Sequence, residues 1–165
     1  MYLIIPKNER HNTMNNLHLL LQNKILISSI LGWMVAQILK TLIHLYFNKN
    51  FDPERLVGSG GMPSSHSSTV CALATSSGLI YGLNSFEFAV TTMFAIIVMY
   101  DAMGVRRETG IQAKILNEMI AIFNGMNKQV TVEDKLKELV GHTPLQVLAG
   151  AILGIFIAFL VLILI

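Results

Sequence analysis

An all-α polytopic membrane protein is the fold this sequence predicts, on three observations. Hydrophobic residues fill 53% of the 165 positions and charged residues only 13%, against about 25% charged in soluble domains. The charges are also bunched: the 31 residues between Arg55 and Glu87 hold none, and neither do the 27 after Glu138. Last, residues 145–165 are 21 consecutive positions with one polar side chain, Gln146, and about 20 apolar residues suffice to cross a bilayer. The same composition excludes a disordered chain, an acidic tail or a nucleic-acid binder, since the net charge of +2 is small and dispersed. One membrane-embedded domain over 1–165 is the natural organisation, with a polar N-terminal segment over 1–23.

Four spans are expected. Residues 25–47 form the first, with Lys40 as its intruding charge about two turns inside. The apolar run starts too late for a cleaved signal and lacks a small-residue cleavage site. Residues 48–62 read as a loop, with Asp52-Pro53 and the run Gly58-Ser59-Gly60-Gly61. The second span, 64–83, is rich in Ser, Thr, Ala and Gly; small residues let membrane helices approach closely, so this one belongs in the centre. Its single cysteine, Cys71, is the only one in the chain, which excludes an internal disulfide and makes it a small packing residue. A tight connection over 82–85 leads to the third span, 86–103. Over 108–124, Ile111, Ile115, Met119, Ile120 and Phe123 share one helical face opposite Gln112, Lys114, Asn117 and Glu118, as in an amphipathic helix on the membrane surface or against the bundle. Thr131 and Asp134 resemble a capping box for a short connecting helix that Gly141 ends. Thr143 as N-cap and Pro144 at the first helical position start the last span, where Gly150 and Gly154 offer a small-xxx-small packing face.

Four spans place the end of the first, the start of the second, the end of the third and the start of the fourth on one side. That side gathers Arg55, His66, Asp101, Arg106, Arg107, Glu138 and His142. His66 and His142 both stand at helix starts, where unsatisfied N–H groups and the positive end of the dipole suit a phosphate or similar anion. Neighbouring glycines permit close backbone approach, Ser64 and Ser65 add hydroxyl donors, and Arg55, Arg106 and Arg107 can add bidentate ones. Two imidazoles make phosphoryl transfer workable: one attacks phosphorus in its neutral form, and the other protonates the leaving oxygen. Cations would stabilise the equatorial oxygens. The scheme requires no metal and no cofactor. His11, His18 and His44 read as surface or capping residues, and the nine methionines as packing.

Three ordered segments carry a resemblance: Gly60-Gly61-Met62-Pro63-Ser64-Ser65-His66-Ser67, Met99-Tyr100-Asp101-Ala102-Met103-Gly104-Val105-Arg106-Arg107, and Gly141-His142-Thr143-Pro144. From about residue 31 to 154 the chain resembles the divergent branch of the type 2 phosphatidic acid phosphatases, related to membrane lipid phosphatases and vanadium-dependent haloperoxidases. The resemblance implies Lys40 and Arg55 as phosphate-binding cations, with Ser64 and the Ser65 backbone as further phosphate ligands. It also implies His66 as general acid, Arg106 or Arg107 as a phosphate ligand, and His142 as a nucleophile that becomes phosphorylated. Three positions depart from the superfamily pattern. Ser65 stands where the second motif has glycine. About 35 residues separate Arg107 from His142, where a short gap is usual. Gln146 stands where an acidic residue would orient the nucleophile, leaving that role to Glu138 or Asp101.

The reading implied is a lipid phosphatase acting on a monoester or pyrophosphate, with phosphatidylglycerophosphate, phosphatidic acid or polyprenyl pyrophosphate as substrates. A non-catalytic phospholipid-binding or transport protein that retains the phosphate pocket is the rival reading. The expected partners are the phosphorylated lipid and the membrane, with a homo-oligomer allowed and no nucleic acid. Apart from Lys40, the motif-bearing side holds eight Lys and Arg (49, 55, 106, 107, 114, 128, 135 and 137) and the other side three (7, 10 and 24). The positive-inside rule therefore predicts a site on the cytoplasmic side of the cell membrane.

Overall fold

Serine, glycine and alanine face inward in this protein, and large apolar side chains face outward. The computed structural model describes residues 18–49, 61–125, 136 and 141–164. Its main helices are α1 (Lys24–Asn48), α2 (Ser65–Tyr81), α3 (Phe86–Met103), α4 (Val105–Gly125) and α5 (Pro144–Leu164). No strand occurs among the described residues. The expected elements are therefore present to within a few residues. Arg55, Glu138 and the short helix expected before Gly141 lie outside the described residues.

Local chemistry fixes the helix ends. Asn23 caps α1 through its side-chain oxygen, which accepts from Leu26 N–H at 3.1 Å. Lys49 closes that helix in the left-handed region at φ 51°, its N–H donating to the Leu45 carbonyl. Ser64 caps α2 and Ser85 caps α3, each accepting from the N–H three residues on. At Gly104, φ −95° and ψ −93° leave helical space and separate α3 from the amphipathic α4.

The hub is α2. It runs antiparallel to α1, with Ser68 near Gly32 and residues 80–81 near residues 24–25. It runs parallel to α5, where the Ser64 carbonyl abuts Gly150 and the Ser68 carbonyl abuts Gly154. A Cβ on either glycine would collide with α2 backbone, so the small-xxx-small face is a packing face in fact. On the far side of α2, Cys71 Sγ donates to Met99 Sδ of α3 at 3.7 Å. Cys71 is buried, as expected of a small packing residue.

Several hydroxyls at the helix interfaces are satisfied locally. Ser28, Ser29, Thr41, Thr69 and Ser76 each donate to the carbonyl one turn back, which lets polar residues line helix interfaces in a medium without water. Ser68 instead donates across to the Gly32 carbonyl at 2.8 Å.

Lys24–Phe47, Phe86–Phe123 and Pro144–Leu164 hold helices long and apolar enough to cross a membrane, among the described residues. The expected second span, α2, does not reach that measure; its 17 residues span about 25 Å. It needs little apolar surface, because α1, α3 and α5 cover it. On α3 only Ala95 and Ala102 are buried, whereas Phe86, Met93, Phe94, Ile97 and Tyr100 are exposed. Such a surface suits lipid rather than water. On α4 the apolar stripe of Ile111, Ile115, Met119 and Phe123 is likewise exposed. Asn117, opposite it, holds the backbone of Leu136 at both N–H and carbonyl.

Gly154→Val is expected to separate α2 from α5, at an overpacking cost of about 1–3 kcal/mol or more. Unfolding of the purified protein in detergent, followed by heating, should begin at a clearly lower temperature. Gly125→Ala meets nothing within 4 Å and serves as the silent control.

Candidate active site

The topology delivers the predicted convergence. The C-terminal ends of α1 and α3 and the N-terminal ends of α2 and α5 meet at one side of the bundle, joined by short backbone contacts. Ser64 N–H donates to the Gln146 carbonyl at 3.0 Å, and His142 N–H donates to the Ala102 carbonyl at 3.0 Å. Gly141 lies directly against the Arg107 backbone, closer than any side chain would allow. The first of these contacts joins segments about 80 residues apart.

His66 sits in the first turn of α2 and His142 just ahead of α5. Their ring centroids are 5.9 Å apart, at an interplanar angle of 64°. His142 is only 2% exposed, while His66 is half-buried. One tetrahedral anion can therefore be flanked by both rings.

Lys40 does not snorkel. It is 3% exposed, and Gly61, at φ +85°, lies over its stem so closely that a Cβ would stand 3.0 Å from Lys40 Cγ and Cδ. Glycine at that position thus serves both the backbone turn and the close passage of the lysine stem beneath it.

Ser64 and Ser65 are both buried. The Ser64 oxygen accepts from Ser67 N–H at 3.3 Å and from Ser67 Oγ–H at 3.1 Å, so its own hydrogen is the group left to donate. The N–H groups of Ser65 and His66 lie in the first turn, where a helix offers no acceptor of its own. Arg107 is exposed and lines a cavity of about 400 Å³ with His142. The side chain of Arg106 lies outside the described residues. Asp101 precedes Ala102, the residue that accepts from His142 N–H, and so stands at the edge of the same site.

Gln146 is the residue that sequence reasoning did not assign to the site. Its Oε1 accepts from Thr143 N–H at 3.1 Å, while Thr143 Oγ1 accepts from Gln146 N–H at 3.4 Å. This is a reciprocal capping box, and Thr-x-x-Gln before an apolar run is its sequence signal. The same Oε1 lies 3.3 Å from His142 Nδ1. A backbone N–H can only donate, so the atom facing Thr143 is the amide oxygen. That oxygen can only accept, so its pairing with His142 puts the hydrogen on Nδ1 and the ring lone pair on Nε2.

A family model described as "Divergent PAP2 family" matches residues 21–157. An uncharacterized membrane protein, YuiD, of Bacillus subtilis (strain 168) is 40% identical over 147 residues, covering 84% of this chain and 93% of its own length. No solved structure matches the chain. The three motif segments meet at one end of a helical bundle, and the family match spans every helix from α1 through most of α5: the chain belongs to the divergent PAP2 family.

Proposed function

We propose that this protein is a lipid phosphatase that hydrolyses a phosphate monoester or pyrophosphate through a phosphohistidine on His142. The observation carrying this reading is the pair of imidazoles 5.9 Å apart where two helices begin, with Lys40 packed under Gly61 of the same motif segment and Arg107 lining the cavity beside His142. In the first step His142 Nε2 bonds to phosphorus as the bond to the leaving oxygen breaks, and His66 gives that oxygen its proton. In the second, water attacks phosphorus, His66 takes the water's proton, and the P–N bond breaks to release inorganic phosphate. Lys40, the Ser65 and His66 N–H groups, the Ser64 hydroxyl and Arg107 would hold the equatorial oxygens, with Arg55 and Arg106 as further cations. Membrane phospholipids and polyprenyl pyrophosphates fit because the site lies at the ends of lipid-facing helices.

Gln146 supplies the orienting acceptor that the resemblance assigns to an acid, and so relieves Glu138 and Asp101 of that role. A neutral amide fixes the tautomer without adding negative charge beside an incoming phosphate. A phospholipid-binding protein without turnover would use the same pocket, but it gains nothing from a fixed tautomer on His142.

His142→Ala is expected to lower phosphate release from phosphatidic acid or polyprenyl pyrophosphate by about 10³-fold or more, and His66→Ala by about 10²–10⁴-fold. Acid-labile label from a ³²P-lipid should be trapped on the wild type and absent from His142→Ala. Binding with no phosphate release from any lipid would favour the non-catalytic reading. Gln146→Leu is expected to lower kcat about tenfold or more with little change in KM, and Gln146→Glu, which keeps an oxygen there, to restore most of it.

We place the site on the cytoplasmic side of the cell membrane, in line with the eight cationic residues against three. A membrane-impermeant maleimide should then label Asn84→Cys in intact cells and Gly125→Cys only after permeabilisation. Cys71 is buried and gives little background.

A further inference from the structure

The cavity beside His142 is larger than one phosphate needs. It has a volume of about 400 Å³ and is lined by Arg107, Gly110, Ile111 and Lys114 of α4 and by the segment 141–143. Pockets of this size take a whole headgroup. Positions 107, 110, 111 and 114 fall on one face of α4, so Arg107 and Lys114 stand about 10 Å apart along the helix. Gly110 lies between them in the lining, and Ile111 gives the cavity one apolar wall. The two cations thus line the same cavity as His142.

Lys114 has a partner on its own helix, Glu118, at 3.9 Å, but both side chains are 64% exposed. A pair so long and so wet holds weakly. A desolvating phosphate in the cavity would displace it.

We infer that this cavity is a second anion subsite, which selects lipids carrying two phosphate groups over lipids carrying one. The inference rests on the lipid phosphatase reading. The terminal phosphate lies between His66 and His142, and the inner phosphate, bonded toward the lipid, lies between Lys114 and Arg107, whose forked guanidinium serves both phosphates. Lys114 is a substrate-specificity residue here. In a diphosphate its charge also stabilises the leaving phosphate as the P–O bond breaks.

The test uses the full-length protein in detergent micelles, with polyprenyl diphosphate and phosphatidic acid as probes. Both phosphate release and equilibrium binding are measured for wild type, Lys114→Ala and Lys114→Glu. The wild type should prefer the diphosphate, and Lys114→Ala should lose about tenfold of that preference, mainly in KM. Lys114→Glu should lose more. A preference that is the same in all three proteins overturns the inference. If neither lipid yields phosphate, the hydrolase reading fails, and the binding ratio decides on the subsite alone: a tenfold loss in Lys114→Ala upholds it and an unaltered ratio overturns it. Inorganic pyrophosphate is added as a competitor. Displacement of both lipids equally in wild type and Lys114→Ala would place pyrophosphate outside this cavity and overturn the assignment.

Discussion

The close seating of α2 among its neighbours at Ser68 is the constraint on which the rest of the structure depends. The Ser68 carbonyl abuts Gly154 of α5, and its hydroxyl donates to the Gly32 carbonyl of α1. Three helices meet at one residue: backbone lies directly on backbone toward α5, and a single serine hydroxyl bridges to α1. In a bilayer, association gains little from burying apolar surface, because lipid tails are as apolar as leucine; close packing and interhelical hydrogen bonds carry it instead. This explains why the core is built of Ser28, Ala36, Ser64, Ser67, Ser68, Ala72, Ser76 and Ala158, and why the leucines and phenylalanines lie outside. It also sets the depth of the site. With Ser68 fixed against Gly154, the helix starts that carry His66 and His142 fall level with one another.

Helix capping and site construction use the same atoms. Thr143 and Gln146 satisfy each other's N–H groups at the start of α5, an arrangement worth about 1 kcal/mol as a cap, and Gln146 then turns its oxygen toward His142 Nδ1. Ser64 caps α2 while its N–H ties that helix start to the Gln146 carbonyl. The two helix starts therefore cannot shift independently. A change in one cap moves both imidazoles, which is how 5.9 Å between rings from distant segments is kept without a covalent link.

Much of this was legible in the sequence, and for identifiable reasons. The apolar runs of α1, α3 and α5 follow from length and hydropathy, and the central place of α2 from its serines and glycines. The meeting of His66 with His142 follows from counting spans. Other features depend on which atoms approach in three dimensions. Gln146 stood in an apolar run as an anomaly, and only its distance to Nδ1 shows that it faces the histidine. Its capping box with Thr143 was readable from spacing, but the coupling of cap to tautomer was not. Lys40 read as an intruding charge about two turns inside its span, and only the structure shows it 3% exposed with Gly61 over its stem. Lys114 belonged to the polar face of an amphipathic helix, and nothing in the periodicity distinguishes a solvated lysine from one at a cavity mouth.

The position of α4 connects the fold to the proposed chemistry. A charged side chain at span depth costs about 2.5–3.5 kcal/mol on insertion scales, so Lys40 is expensive unless its charge meets an anion there. Arg107 and Lys114 stand on α4, outside the apolar windows of α1 and α5, and both are exposed, so neither carries that burial cost. The exposed Ile115, Met119 and Phe123 give the same helix an apolar stripe suited to a bilayer surface. On the proposed reading one helix faces the membrane with that stripe and the cavity with its cations. A lipid whose tails remain in the bilayer can then present its phosphate to the histidines without leaving the membrane, and only the headgroup has to exchange water for protein.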